Sequence, residues 1–176
     1  ADRAAAANTL AASLGGPVMT TYKAKGVISE AGPLNVGLFT GAKLDGTVLS
    51  EADLIVFCGV DPVEMIPGKW GYSAPVIVLT ETGGLAWPFD ARVEIDGPVA
   101  ESAARLARNA STGAWTGDSI GALRTHIRDT AANTGGEGRF PDAVIDAVAE
   151  AAPDGARLAV DAGAHMFSAM TRWPAL

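Results

Sequence analysis

The segment Leu54–Val60 (LIVFCGV) constrains the fold of this chain more than any other segment. It shows no alternation of polar and apolar residues, so both faces of a strand formed by it would be apolar. Strands of this kind are typical of parallel sheets that are covered on both faces. A second such segment, Pro75–Thr80 (PVIVLT), follows after a loop rich in proline and glycine. Together the two segments predict an α/β fold with a parallel sheet at its centre.

The start of the chain predicts a helix followed by a strand. Asp2 is a suitable N-cap for a helix that runs to Leu14, and Gly15 is a suitable stop. Pro17 suits the first position of a strand that ends at Thr21, because proline cannot donate to a sheet ladder. A doubly wound domain normally begins with a strand, so we expect the first strand of this sheet to be missing from the chain.

A further strand and helix follow the two apolar segments. Residues 91–95 alternate apolar and charged side chains, which predicts a strand with Val93 and Ile95 directed inward and one wet face. An amphipathic helix is expected from Val99 onward. This order predicts a Rossmann-like central domain over residues 1–112, with parallel strands, right-handed crossovers and helices on both faces.

A second α/β domain is predicted to begin near the end of the chain. Residues 113–139 are expected to form a linker that contains one helix. Beyond them, Pro141 suits the first turn of another helix, and Leu158–Val160 should begin a new strand. Residues 140–176 would then be the first strand and helix of a truncated second domain.

Composition excludes several classes of function. A net charge of −7 gives no basic surface for a phosphate backbone, so nucleic acid is not an expected partner. The apolar runs are too short to span a bilayer, and a cytoplasmic protein without membrane contact is expected. Cys58 is the only cysteine, and His126 and His165 are far apart in sequence. A zinc site built on cysteine or histidine is therefore not indicated.

Four groups of residues occur in a characteristic order along the chain. They are PVMTTYKAKG from Pro17 to Gly26, then Pro33 and Gly37, SEADLIVFCG from Ser50 to Gly59, and DAGAH from Asp161 to His165. In this order they resemble the thiamine-diphosphate-dependent enzymes, and most of all the group of acetolactate synthase, pyruvate oxidase and pyruvate decarboxylase. The resemblance covers most of the chain.

The resemblance implies an enzyme that uses thiamine diphosphate and Mg²⁺ to decarboxylate a 2-oxo acid and to pass the resulting carbanion to an acceptor or a proton. It also implies that the activating glutamate belongs to a preceding domain and that the Gly-Asp-Gly…Asn magnesium motif lies beyond Leu176. We therefore assign no catalytic residue and no metal ligand in this chain, and we expect the chain alone to be inactive. Because active sites of this family lie between subunits, the intact protein is expected to be a homodimer or homotetramer.

By the same resemblance, Gly163, Ala164 and His165 would approach the diphosphate end of the cofactor. Close approach of the backbone favours glycine, and an imidazole could donate a hydrogen bond. Acetolactate synthases commonly carry glutamine where this chain has Ala164 and Met166, so the subfamily stays open. The alternative for His165 is a purely structural hydrogen bond at the start of a helix.

The central domain offers a second candidate site, which we call the nucleotide cleft. Flavin-containing relatives hold FAD there, whereas others hold an adenine nucleotide or nothing. Lysine and backbone amides at the carboxyl ends of the strands would meet phosphates, and a carboxylate would meet ribose hydroxyls. FAD itself is doubtful, because VDPVEM stands where flavin-binding relatives have an Arg-Phe-Asp-Asp-Arg-like segment. An empty cleft with solvated lysines is the alternative. The candidate residues are Thr21, Lys25, Gly26, Gly59, Asp61, Thr80, Glu81, Asp96 and Gly97.

Two other functions remain open at this point. The chain could be a non-enzymatic nucleotide- or flavin-binding module of an electron-transfer protein, or an enzyme-like subunit that serves assembly. Tryptophans in the loops are expected to anchor domain or subunit interfaces rather than to stack on a ligand. They are Trp70, Trp87, Trp115 and Trp173.

Overall fold

The chain folds into parallel sheets flanked by helices, which confirms the predicted fold class. The structure is a computed structural model that describes residues 2–131 and 141–175. The helices are α1 (Arg3–Leu14), α2 (Gly46–Leu49), α3 (Val99–Asn109), α4 (Gly117–Ala131), α5 (Pro141–Ala151) and α6 (Ala164–Arg172). The strands are β1 (Val18–Thr20), β2 (Asn35–Leu38), β3 (Ile55–Cys58), β4 (Val76–Thr80) and β5 (Val93–Asp96).

Helix α1 begins and ends where its capping residues predict. The Asp2 carboxylate accepts a hydrogen bond from the Ala4 amide at 2.9 Å. At the other end Gly15 adopts φ 65°, a left-handed conformation, and its N–H donates to the carbonyl of Ala11. Both ends are thus fixed by local chemistry that the sequence already contains.

The strands form two sheets in which every pair is parallel. Strand β1 pairs with β2, and β3, β4 and β5 pair in that order. The register places Phe57 beside Val78 and Cys58 beside Leu79. Within the described residues, β1 pairs only with β2, and β3 pairs only with β4. The prediction that a first strand is missing is not tested by this arrangement.

One face of the three-stranded sheet is covered by α1 and α3. Leu79 of β4 is fully buried there, and Ala103 of α3 is equally inaccessible. Ala6 and Leu10 of α1 complete this cluster. Small alanine side chains let both helices lie close to the sheet, so the large side chain of Leu79 fills the space between them.

The opposite face of the same sheet carries a layer of aromatic side chains. The ring of Phe57 stacks on Phe89 with centroids 5.3 Å apart and on Trp87 at 5.6 Å. Trp70 lies 4.6 Å from Phe89. Trp70 and Trp87 therefore pack inside their own chain, a use that was not predicted for them. The Trp87 indole N–H is buried and meets no acceptor in the ranges that the structure describes.

Helix α4 covers β2. Ile120 and Ile127 of α4 are buried with Val36 and Val48 in one cluster. The Arg124 guanidinium donates hydrogen bonds to the carbonyls of Gly32, Pro33 and Asn35 at 2.7 to 2.9 Å. The predicted linker region thus contributes a helix that packs on the sheet of the first 112 residues, and the proposed domain boundaries remain a prediction.

Two expectations about strands are wrong. Val93 and Ile95 were expected to face inward, but they are 45% and 38% exposed. Among the strands of the described residues, β5 pairs only with β4 and so lies at an edge of its sheet, where fewer neighbours cover its side chains. Leu158–Val160 was expected to begin a strand, but it has no sheet partner in the described chain and is partly exposed. A strand needs a neighbour that supplies hydrogen bonds, and no described segment does so.

No helix in residues 2–131 or 141–175 combines the length and the apolar character that crossing a membrane requires.

Candidate functional site

The loops at the carboxyl ends of β1, β2 and β3 contact one another. Lys23, after β1, donates its backbone N–H to the Glu64 carboxylate at 3.3 Å, and its ammonium group lies 3.9 Å from the same side chain. Ile66, in the loop after β3, donates its N–H to the carbonyl of Thr40 at 2.7 Å. These contacts bring the carboxyl ends of both sheets to one edge of the molecule, which is the place where ligands of open α/β sheets bind.

Lys25 and Gly26 lie in the turn region after β1, but both have internal partners. The Lys25 ammonium group pairs with the Glu30 carboxylate. Gly26 has φ +88°, and a Cβ atom at this position would lie 3.3 Å from the Cβ of Ala175. The two residues that were expected to meet phosphates therefore face a carboxylate and a segment of the same chain.

Glu81 and Thr80 follow β4 and are also engaged. One carboxylate oxygen of Glu81 accepts the Val99 N–H at the start of α3, at 3.1 Å, and the other pairs with Arg3. Glu81 thus places a negative charge at the amino end of α3, which is where a phosphate would otherwise be favoured. The Thr80 hydroxyl is buried, donates a hydrogen bond to the carbonyl of Thr82 and accepts one from the Thr82 N–H.

The remaining residues of the nucleotide cleft have three different surroundings. Thr21 is buried directly after β1. Gly59 has φ 68° and donates its N–H to the carbonyl of Leu79 at 2.8 Å, so it ends β3 in a turn. The Asp61 carboxylate accepts the Val63 N–H at 3.0 Å and caps the 3₁₀ turn Pro62–Glu64.

Asp96 and Gly97 lie at the end of β5. The Asp96 side chain is exposed and lies against Gly83, where an added Cβ would come within 2.4 Å of its carboxylate. Gly97 donates its N–H to the carbonyl of Thr80. Taken together, the cleft residues follow the carboxyl ends of their strands as expected, but most of their polar groups already bind to protein. Their assignment to a nucleotide stays a prediction.

The segment that contains Gly163, Ala164 and His165 forms the start of α6. Gly163 has an extended backbone, and no side chain caps the first turn of the helix. The His165 ring folds back over Gly163, because a Cβ atom there would lie 2.8 Å from the ring atom Cε1. All three residues are exposed. Uncapped amides, a glycine and an imidazole at the start of a helix can accept one end of a diphosphate.

Asp45 is the most deeply buried carboxylate in the described part of the chain, and sequence reasoning assigned it no role. Its side-chain atom Oδ2 accepts the amides of Thr40 at 2.9 Å and Gly41 at 2.6 Å. Burial raises the pKa of Asp45, although its hydrogen bonds with backbone amides act in the opposite direction. The pKa of Tyr72 is raised by burial and by the charge of Asp45. Asp45 therefore fixes the loop after β2.

Three other residues that matter here were not found from the sequence. Glu30 binds Lys25 and the segment after α6, Arg3 neutralises Glu81, and Arg124 ties α4 to the loop before β2. Each acts on a residue more than four positions away, so no helical or strand period reveals it. The Asx turn that Asp61 makes with Val63 is local and could have been inferred from the Asp-Pro pair.

The described residues contain no cluster of side chains that could bind a metal ion. Within residues 2–131 and 141–175, no group of three or more His, Cys, Asp and Glu side chains converges. Cys58 is partly buried, and burial raises the pKa of its thiol, so its thiolate form is disfavoured.

Comparison with known protein families gives a match over the first part of the chain. Residues 1–79 match the family described as "Thiamine pyrophosphate enzyme, central domain". Thiamine pyrophosphate is another name for thiamine diphosphate. The matched residues run from α1 almost to the end of β4. Comparison with curated proteins gives no match.

Proposed function

We propose that the intact protein decarboxylates a 2-oxo acid and transfers the resulting carbanion, as acetolactate synthases do, because residues 1–79 match the central-domain family of thiamine pyrophosphate enzymes. The match to the central-domain family carries this proposal. The order of parallel strands and the cover of α1 and α3 support it, because they build the Rossmann-like scaffold that the resemblance implies.

Within this proposal the chain supplies a scaffold and one contact for the cofactor. Thiamine diphosphate would supply the carbanion chemistry when bound. The open first turn of α6 fits one end of its diphosphate, with Gly163 allowing close approach and His165 placed to donate a hydrogen bond. The described residues do not fit Mg²⁺, since no three ligands converge. No magnesium ligand is therefore proposed among these residues.

The remaining parts of the proposal concern partners and location. We propose a homodimer or homotetramer, a small 2-oxo acid as substrate, and a cytoplasmic location for the intact protein. Lys25 pairs with Glu30, and Glu81 accepts the Val99 N–H. These internal contacts support a central domain that acts as a scaffold rather than as a flavin site. These contacts do not favour the alternative electron-transfer module.

The proposal is tested by an activity assay on the intact protein that contains this chain. Consumption of pyruvate and of 2-oxobutyrate is measured with and without thiamine diphosphate and Mg²⁺, and acetolactate is determined as a product. We expect turnover that requires thiamine diphosphate. The 176-residue chain alone, measured in parallel, should give none. Turnover by the chain alone would contradict the proposal that other parts of the intact protein supply the catalytic residues. Absorbance of bound flavin without turnover of a 2-oxo acid would favour the electron-transfer module.

A further inference from the structure

The two sheets lie next to each other, and their strands end at the same edge of the molecule. Met19 of β1 packs against the buried cluster that contains Phe57 of β3, and also against the cluster that contains Val36 of β2. The loops that follow β1 and β3 are joined by the contact of Lys23 with Glu64. One further parallel strand between β1 and β3 would therefore join the two sheets into a single sheet.

The hydrogen bonds of β1 use only one side of the strand. Val18 donates its N–H to the carbonyl of Leu34 at 2.8 Å, and the carbonyl of Thr20 accepts the N–H of Phe39 at 2.8 Å. Because alternate residues of a strand direct their backbone groups to the same side, Met19 directs its N–H and its carbonyl away from β2. The side of β1 that faces away from β2 therefore carries backbone groups that could pair with another strand.

Strand β3 has the same arrangement. Ile55 and Gly59 donate their N–H groups toward β4, so Val56 and Cys58 direct their backbone groups to the other side. Within residues 2–131 and 141–175, no strand pairs with this side of β3 or with the corresponding side of β1. We call these two strand sides the open edges. Met19, Val56 and Cys58 are half-buried, so water satisfies their backbone groups less well than it would at an exposed edge.

Helix α1 indicates which segment could lie between the open edges. Arg3, in the first turn of α1, pairs with Glu81, which directly follows β4. The chain therefore enters α1 at the edge of the molecule where a parallel strand would end. Helix α1 ends at Leu14, and only residues 15–17 separate it from β1. A strand that led into Asp2 would thus form a strand–helix–strand unit with α1 and β1, the usual connection between neighbouring parallel strands.

We propose that the residues leading into Asp2 in the intact protein form a parallel strand that pairs with both open edges. The resulting sheet has the order β2, β1, the new strand, β3, β4 and β5. The new strand is apolar on both faces, because β3 beside it is covered on both faces. The position of Arg3 favours this segment over a strand from a second copy of the chain, which would have no link to α1. The strand would be present whatever reaction the intact protein catalyses.

Hydrogen exchange, resolved to single residues by mass spectrometry, tests the strand in the intact protein. The comparison is a variant that lacks about ten residues before Asp2, which is enough for one strand and a turn. We expect the N–H groups of Met19, Val56 and Cys58 to exchange at least about 100-fold more slowly in the intact protein than in this variant. Ile55 is the control, because its N–H bonds toward β4 and should exchange slowly in both proteins.

Fast exchange of the three N–H groups in the intact protein would overturn the proposal. Slow exchange that survives the deletion would also overturn it, and a dependence of this slow exchange on protein concentration would identify a second copy as the occupant. If Ile55 also exchanges fast in the shortened variant, that variant has lost its fold, and substitutions of Val56 decide the question.

Val56→Pro and its matched control Val56→Ala test the strand without removing any part of the chain. Both variants lose the valine side chain, but only proline lacks the N–H group on the open edge of β3, and proline is tolerated at a free edge. In the intact protein, we expect Val56→Pro to speed the exchange of the Cys58 N–H at least about tenfold relative to Val56→Ala. Loss of the fold in Val56→Pro alone has the same meaning. Equal exchange of Cys58 in two folded variants would contradict the pairing.

Discussion

Replacing Asp45 separates the role of its charge from its role as a hydrogen-bond acceptor. In the structure only Oδ2 accepts the amides of Thr40 and Gly41, and the side chain is almost fully buried. Asp45→Ala leaves two amides without an acceptor, and each buried unsatisfied donor costs about 1 to 3 kcal/mol. Removing a buried carboxylate offsets part of this cost, because burial raises its pKa and disfavours the charged form. We expect a net loss of about 3 kcal/mol.

Asp45→Asn is the matched control, because its amide oxygen can take the place of Oδ2. Both backbone hydrogen bonds would be retained and the buried charge removed, so we expect a change of less than about 1 kcal/mol. The free energy of unfolding is measured by urea denaturation at pH 7. Equal losses for alanine and asparagine would refute the reasoning, since the charge and not the acceptor would then hold the loop.

The same pair of proteins makes a prediction about pH. The pKa of Asp45 is raised in the folded state, so its ionisation costs stability as the pH rises from its ordinary value of about 3.9 through the raised value. Asp45→Asn cannot ionise. The stability of the unmodified protein should therefore fall relative to Asp45→Asn over this acidic range and change no further above it. A relative gain of the unmodified protein with rising pH would contradict the sign of the shift.

Three further predictions concern packing, a loop anchor and the diphosphate contact. Leu79→Ala should lower the free energy of unfolding by about 3 to 4 kcal/mol, because Leu79 is fully buried. The control Leu158→Ala should lower it by less than about 1 kcal/mol, since Leu158 is exposed. Equal urea midpoints for the two variants would contradict the burial of Leu79 in the core. Arg124→Met should lower the free energy of unfolding by about 2 kcal/mol in the same assay, because three carbonyls lose a charged donor. An unchanged urea midpoint would show that these hydrogen bonds do not contribute to stability. In the intact protein, His165→Ala should weaken thiamine diphosphate binding about tenfold, as measured by calorimetry, and the control His126→Ala should not. Equal affinities of the two variants would show that His165 does not contact the cofactor.

Local chemistry explains what could be predicted from the sequence. The capping of α1 by Asp2 and Gly15 was predicted because a cap involves only neighbouring residues. The buried strands β3 and β4 were predicted because their apolar runs fit only a strand covered on both faces. Their parallel pairing followed from the alternation of strands and helices.

Contacts between distant residues explain what could not be predicted. Lys25 was assigned to a phosphate because its position in the turn is visible, whereas its pairing with Glu30 depends on how the loop folds back. The docking of Ala175 joins residues 145 positions apart, and no periodicity reports such a contact. Val93 and Ile95 alternate as a half-buried strand should, but their exposure depends on whether another element covers the edge of the sheet. The cleft residues follow their strands as predicted, whereas their partners depend on how the loops fold, and their assignment to a ligand stays a prediction.

Calorimetric titration of the intact protein with thiamine diphosphate in the presence of Mg²⁺ tests the central claim most directly. We expect saturable binding of thiamine diphosphate, accompanied by a rise in the melting temperature of the protein. A folded intact protein that shows neither binding heat nor a shift in melting temperature would contradict the assignment of this chain to a thiamine-diphosphate-dependent enzyme.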